Sequence, residues 1–226
     1  MQTDLGRALA TLQTPVFVAC SRCEESYLQR AIQGGMCPDC RSTADAEALR
    51  ANPAYRARVL TEWGVPARYA QPFDPVRQVP ASVAAWDGRS PWLVRLHGAS
   101  GLGKSFAAVE LVWSLQVGLA RWVAAHQLAT VAYQEQLEYE RSQGRAHREP
   151  WIIDDLGRGH SGGGWDLLHR VISRRYDGML PTVITTNLSM REIAEASPAI
   201  ADRMRDALEH TFRGASLRGP SGAQKA

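Results

Sequence analysis

Apolar residues along the chain fall into short continuous runs, each ending on a glycine or a polar cluster. "PWLVRLHG" is a buried strand from Trp92 to Leu96, ending at Gly98. The helix that follows starts near Lys104. Phe106, Val109, Val112, Trp113 and Val117 are its apolar positions, and Gly118 is its expected cap. "RWVAA", 121–125, is a second strand, and "HQLATVAYQEQLEYERSQG" is a helix ending near Gly144. In "WIIDDLG", 151–157, three apolar residues run straight into two acids. That is expected of a strand buried on both faces with its C-terminal tip in a site. "WDLLHRVISRRYDG" places Trp165, Leu168, Val171, Ile172 and Tyr176 on or near one helical face, and Gly178 stops it. "PTVITTN" is a strand over 182–186 that closes on Asn187. Ser189 and Glu192 form a capping box that opens a helix, and "SPAIADRMRDALEH" supplies a last one. Alternation of strand and helix predicts an α/β fold with a central parallel sheet.

The first 60 residues lack this pattern. "STADAEALRANPAYRARVL", 42–60, is a helical connector that Pro53 divides into two short helices. Four prolines between 66 and 80 make a loop-rich lead into the main unit. The boundaries expected are 1–60 for a small N-terminal domain, 61–213 for the α/β domain and 214–226 for a tail. Only 15 residues follow Thr211, so the expected core has no helical lid.

Composition is that of a globular protein, with 45% hydrophobic and 22% charged residues. No apolar run is long enough to span a membrane, no secretory signal opens the chain, and the cytoplasm is the expected compartment. A net charge of +3 does not by itself announce a nucleic-acid binder. The basic residues are uneven in kind. Of 26 Lys and Arg, the lysines are Lys104 and Lys225 alone, and Lys225 lies in the tail.

Lys104 stands inside "GASGLGKS": Gly98, Ala99, Ser100, Gly101, Leu102, Gly103, Lys104 and Ser105. This is a phosphate-binding loop in its required strand–loop–helix setting. Backbone N–H groups of residues 100–105 wrap a β-phosphate at a positive helix end. Lys104 bridges β- and γ-oxygens, and the Ser105 hydroxyl ligates Mg2+. Asp154 holds the same Mg2+ through its water shell, and Asp155 orients the attacking water. A strand inserted between the loop strand and the Asp154 strand brings the Asn187 amide to the γ-phosphate. Without that insertion, Asn187 is a turn residue. Arg203 and Arg205 are either solvated helix charges or an arginine finger lent to a neighbouring subunit. Arg203 is preferred because it is expected early in its helix. His160, alone in "GRGHSGGG", is read as solvated.

Cys20, Cys23, Cys37 and Cys40 read C-x2-C-x13-C-x2-C, with Gly34 and Gly35 at the second bend. Two such hooks converge four thiolates on one Zn2+. Disulfides need an oxidising compartment that nothing here suggests. Arg22, Arg30 and Arg41 are interleaved with Glu24, Glu25 and Asp39, so they face nucleic acid or form a solvated surface around a structural metal, and protein docking is the preferred functional reading. Arg141, Arg145 and Arg148, with Arg170, Arg174 and Arg175, either neutralise phosphates or pair with nearby Glu.

Taken together, "GVPARY" (64–69), "GASGLGKS", "WIIDDLG", "RRYDGMLPTVITTN", "DRMR" and "GASLR" (214–218) resemble the DnaC-type helicase-loader family, an AAA+ branch that also holds the DnaI and IstB proteins. The resemblance covers roughly residues 64–218. It implies an AAA+ sheet with the loop strand central, ATP binding, and assembly of the chain with itself into an open ring or spiral. It also implies delivery of a DnaB-type hexameric helicase onto single-stranded DNA. Lys104 and Ser105 then match Walker A, Asp154 and Asp155 Walker B, Asn187 sensor 1, and Arg203 or Arg205 the trans arginine. Two other readings stay open: an IstB-like transposition helper with nearly the same core, and a zinc-bearing regulatory module that uses nucleotide as a structural switch.

Overall fold

The computed structural model describes residues 17–28, 33, 35–70, 79–144, 147–157, 162–214 and 216. Arg30, Gly34, Arg145, His160 and Lys225 lie outside the described residues. The chain divides into two compact units, Met1–Arg56 and Ala57–Ala226.

In the first unit, β1 (Phe17–Ala19) pairs antiparallel with β2 (Ser26–Leu28). Helix α1 (Pro38–Ala51) begins directly after Cys37, which is its N-cap, with Pro38 at the first helical position. Proline is favoured there because that N–H has no helical partner anyway. The helix buries no residue along its 14 positions. A break at Asn52 separates it from α2 (Pro53–Glu62), as Pro53 requires. The Asn52 side chain caps the new helix by accepting from the N–H of Ala54 at 2.9 Å.

The second unit is a five-stranded parallel sheet with helices around it. After α3 (Ala67–Ala70) and α4 (Ala81–Ala84) come β3 (Leu93–His97) and α5 (Lys104–Ser114). Then follow β4 (Arg121–Ala124), α6 (Ala125–Leu128) and α7 (Val131–Ser142). The series closes with β5 (Trp151–Leu156), α8 (Gly162–Asp177), β6 (Thr182–Thr186), α9 (Met190–Ala196), α10 (Pro198–Arg203) and β7 (Leu208–Thr211). The strand order is β4-β5-β6-β3-β7. All five residues of β6 are buried, and four of five in β3, because these strands are covered on both faces. Leu96, Ile152, Ile153, Ile172 and Ile184 are sealed from solvent. Each such side chain contributes about 2 kcal/mol by leaving water.

Several expectations change. Helix α5 ends at Ser114, and Gln116, not Gly118, takes the left-handed backbone that turns the chain. The single helix expected over 126–144 is two, because the Thr130 hydroxyl caps a fresh start by accepting from the N–H of Tyr133 at 3.3 Å. The final helix stops at Arg203, so Arg203 closes it rather than sitting early in it. Residues 208–211 are the strand β7, paired parallel to β3 from Val94↔Leu208 to His97↔Thr211. As a short edge strand, β7 buries no residue fully and carries no apolar run to announce it.

Candidate nucleotide site and cysteine cluster

Each strand of the central trio ends where a polar side chain is needed. After β3 the chain enters the glycine loop. Gly98 has φ 141°, and a Cβ there would stand 2.5 Å from the Phe212 carbonyl oxygen. Gly103, at φ 89°, is the left-handed residue that opens α5. Lys104 is buried in the first turn. Its ammonium donates to the carbonyls of Gly98 and Ala99, both at 2.7 Å, and to Asn187 Oδ1 at 2.8 Å. Strand β6 lies between β3 and β5, so Asn187, one residue past it, stands beside the loop. Its amide also donates to Ser100 Oγ at 3.3 Å.

Asp154 is buried at the end of β5. Its Oδ1 accepts from Ser105 Oγ at 2.7 Å and from Thr185 Oγ1 at 2.6 Å. Burial raises its proton affinity above that of an ordinary carboxylate. The two hydroxyl donors and the Arg68 charge oppose that rise, while Asp155 adds to it. Thr185 binds both acids, because its Oγ1 also accepts from the N–H of Asp155 at 2.9 Å.

Two successive residues of a regular strand point to opposite faces. Asp154 and Asp155 nevertheless line one pocket. The pairing of β5 with β6 shifts register between Ile153 and Leu156, and Asp155 sits at φ 61°. This bulge re-aims the second acid toward the loop. A left-handed non-glycine backbone costs roughly 1 kcal/mol, which the flanking ladder overcomes.

The pocket gathers Ser100, Gly101, Leu102, Gly103, Lys104 and Ser105 with Asp154, Asp155 and Asn187. Among the described residues, four further lining residues carry no role in the sequence-based assignment: Arg68, Tyr69, Phe106 and Thr185. The first two stand in "GVPARY", so a signal existed. Nothing local tied it to the loop some 30 residues on. Arg203 and Arg205 do not line the pocket. Arg203 pairs with Asp202 at 3.2 Å and lies over the Tyr176 ring at 4.8 Å. Arg205 is exposed and pairs with Asp202 at 2.7 Å.

The arginines offered for phosphates separate into two kinds. Arg175 is buried and donates to the carbonyls of His147, Glu149 and Pro181 and to Thr182 Oγ1, with its guanidinium 4.6 Å over Trp151. It ties loop to sheet and is not a surface charge. Burial lowers its pKa to about 9. Arg141, Arg148, Arg170 and Arg174 are exposed. Burial, and the like charges of Arg141 and Arg170, disfavour the Arg174 cation against the pull of Glu138.

In the first unit the ligand atoms of Cys20, Cys23, Cys37 and Cys40 all lie within 4.8 Å of one another. Sulfurs about 2.3 Å from a shared tetrahedral ion would be just under 4 Å apart, so a small closure suffices. N–H groups of Cys37 and Arg22 donate to Cys20 Sγ at 3.3 and 3.5 Å, and that of Cys40 to Cys37 Sγ at 3.4 Å. The donation from Cys37, then from Cys23 and Arg22, draws the Cys20 thiol down to about 6. The Cys37 thiol, burial and the other sulfurs push Cys40 up to about 12. Four thiolates cannot coexist here without a cation, and four sulfurs with N–H donors fit Zn2+. Arg22 pairs with Glu47 at 2.8 Å.

Among the described residues, no helix is long and apolar enough to cross a membrane. No protein-family model matches the chain, and no curated protein does. Solved structures do. The chain is similar to the DnaC helicase loader at 17% identity and a TM-score of 0.42, over 58% of this chain and 84% of that one. It is similar to DnaI at 22% and 0.43, over 57% and 77%. Domain III of the Thermotoga maritima replication initiation protein DnaA matches at 17% and 0.44, over 63% and 69%. The strand order, the glycine loop after β3 and the two acids within β5 give the second unit an α/β architecture with its candidate site at the strand ends.

Proposed function

We propose that this protein is an ATPase that delivers a DnaB-type hexameric helicase onto single-stranded DNA at the start of replication. The observation that carries the ATPase half is the meeting of Lys104, Ser105, Asp154, Asp155 and Asn187 in one pocket. A site that only stored nucleotide would need no second acid bulged toward the loop.

Loop N–H groups and the positive end of α5 receive the β-phosphate of ATP. Lys104 exchanges loop carbonyls for phosphate oxygens and keeps its neighbour Asn187. Ser105 and Asp154, already in contact, are the groups that hold Mg2+. When bound, Mg2+ supplies Lewis-acid charge to the phosphoryl oxygens. Asp155 orients the attacking water and accepts its proton, with Asn187 beside it. Arg203 or Arg205 reaches the site of the next subunit in a ring or spiral, which leaves both free of their own pocket.

The loader half rests on the motif resemblance over 64–218 and on two surfaces. Exposed Arg141, Arg148, Arg170 and Arg174 offer the salt-sensitive charge that a DNA strand needs. The zinc-held first unit docks the helicase. The test is capture of the replicative helicase of the host by the full chain, with Cys37→Ser as the comparison. Capture lost in the variant supports the reading. Capture of a transposase in place of the helicase selects the IstB-like alternative, and an intact chain that hydrolyses no ATP rejects the ATPase.

A further inference from the structure

Arg68 belongs to the four-residue helix α3 and is exposed, yet it lines the same pocket as Lys104, Ser105, Asp154, Asp155 and Asn187. The helix is not loosely placed. Its next residue, Tyr69, is buried and meets the Phe106 ring edge-on at 5.1 Å. Phe106 directly follows Ser105, so α3 is locked to the first turn of α5. The Arg68 guanidinium lies 4.7 Å from the centroid of the Tyr69 ring, which holds a planar cation over a fixed surface. Among the described residues it has no carboxylate within ion-pair distance.

The charge balance of the pocket calls for such a group. Among the described residues, Lys104 and Arg68 are its basic lining residues, against Asp154 and Asp155. A triphosphate adds several negative charges, of which one Mg2+ offsets about two. Lys104 alone leaves an excess, and the charge grows on the equatorial oxygens in the transition state. A guanidinium meets that oxygen geometry with paired donors. The field of Arg68 already reaches Asp154, where it opposes the upward push of burial.

From this placement we infer that Arg68 is a phosphate-binding arginine of its own subunit's nucleotide site, reading the terminal phosphate. This rests on the nucleotide reading above. Each subunit then carries a cis arginine from the segment before its P-loop, in addition to any arginine a neighbour lends.

The experiment uses the full chain, a fluorescent ATP analogue and the matching ADP analogue, and steady-state hydrolysis. Arg68→Ala and the uncharged, polar Arg68→Gln should weaken ATP at least tenfold, ADP by less than threefold, and lower kcat tenfold or more. Arg68→Lys should recover part of the loss. Mixing Arg68→Ala with Lys104→Ala subunits should restore nothing, because the missing charge belongs to the site that hydrolyses. Unchanged discrimination between ATP and ADP in both neutral variants overturns the inference, and so does recovery on mixing. If the unaltered chain binds neither analogue, the nucleotide reading itself falls, before any variant is compared.

Discussion

The two units solve the problem of staying folded in opposite ways. In the first, Cys20 and Cys37 are the only buried hydrophobic side chains among residues whose burial is described, and α1 buries none. In the second, leucines, isoleucines, valines and tryptophans from all the central strands form one cluster. Among its described residues the first unit has little apolar burial to offset the entropy of ordering its backbone, and its four sulfurs are placed where a metal would supply the difference. A sheet covered on both faces needs no such help and can spend its polar residues at the strand ends. The lesson is where each unit is vulnerable: one at four sulfurs, the other across a distributed interior.

The largest expected effect breaks this contrast at the metal. Chelation should remove about one zinc per chain and, because structural zinc contributes on the order of 10 kcal/mol, abolish amide protection in the first unit while β3 to β6 stay protected. Metal analysis and hydrogen exchange check it, and a metal-free chain with a protected first unit would refute the zinc assignment. Next comes the proposed completion of the site by a neighbour. Arg203→Ala should lower hydrolysis about a thousandfold and regain activity when mixed with Lys104→Ala subunits; no recovery for Arg203 or Arg205 removes the finger. In the interior, Ile184→Ala should cost the second unit about 3 kcal/mol in denaturant unfolding and leave zinc content unchanged. The smallest change, Thr130→Ala, removes the cap of α7 and should cost about 1 kcal/mol. A loss near 3 kcal/mol there would mean that the α6–α7 break bears on the whole sheet.

Much of the site could be read without coordinates, and the reason is local. A phosphate loop needs glycines, a lysine and a hydroxyl at fixed spacing, so its chemistry is written in consecutive residues. The cysteine hooks are legible for the same reason. Strands buried on both faces, such as "TVITT", identify themselves by unbroken apolar or β-branched runs. The edge strand "LEHT" does not, because its partner β3 supplies the ordering and its own faces are half wet. Arg95 is a similar case. It sits buried in β3, where its burial is tolerated because it pairs with Glu209 of β7 and donates to the Leu188 carbonyl at 3.2 Å. Neither partner is near it in the chain.

The amino-acid order by itself determined the alternation of elements, the glycine loop, the acid pair and the four-cysteine spacing. Each of these depends on neighbours within a few residues. Tertiary structure decided which side each acid faces, through a bulge set by the β5–β6 ladder. It made Arg175 an internal clamp while Arg174 beside it stayed exposed, and it carried Arg68 to the pocket of the glycine loop by packing Tyr69 on Phe106. Those outcomes depend on surfaces that meet only after the sheet has closed, and packing energy between distant segments has no signature in a local pattern of residues.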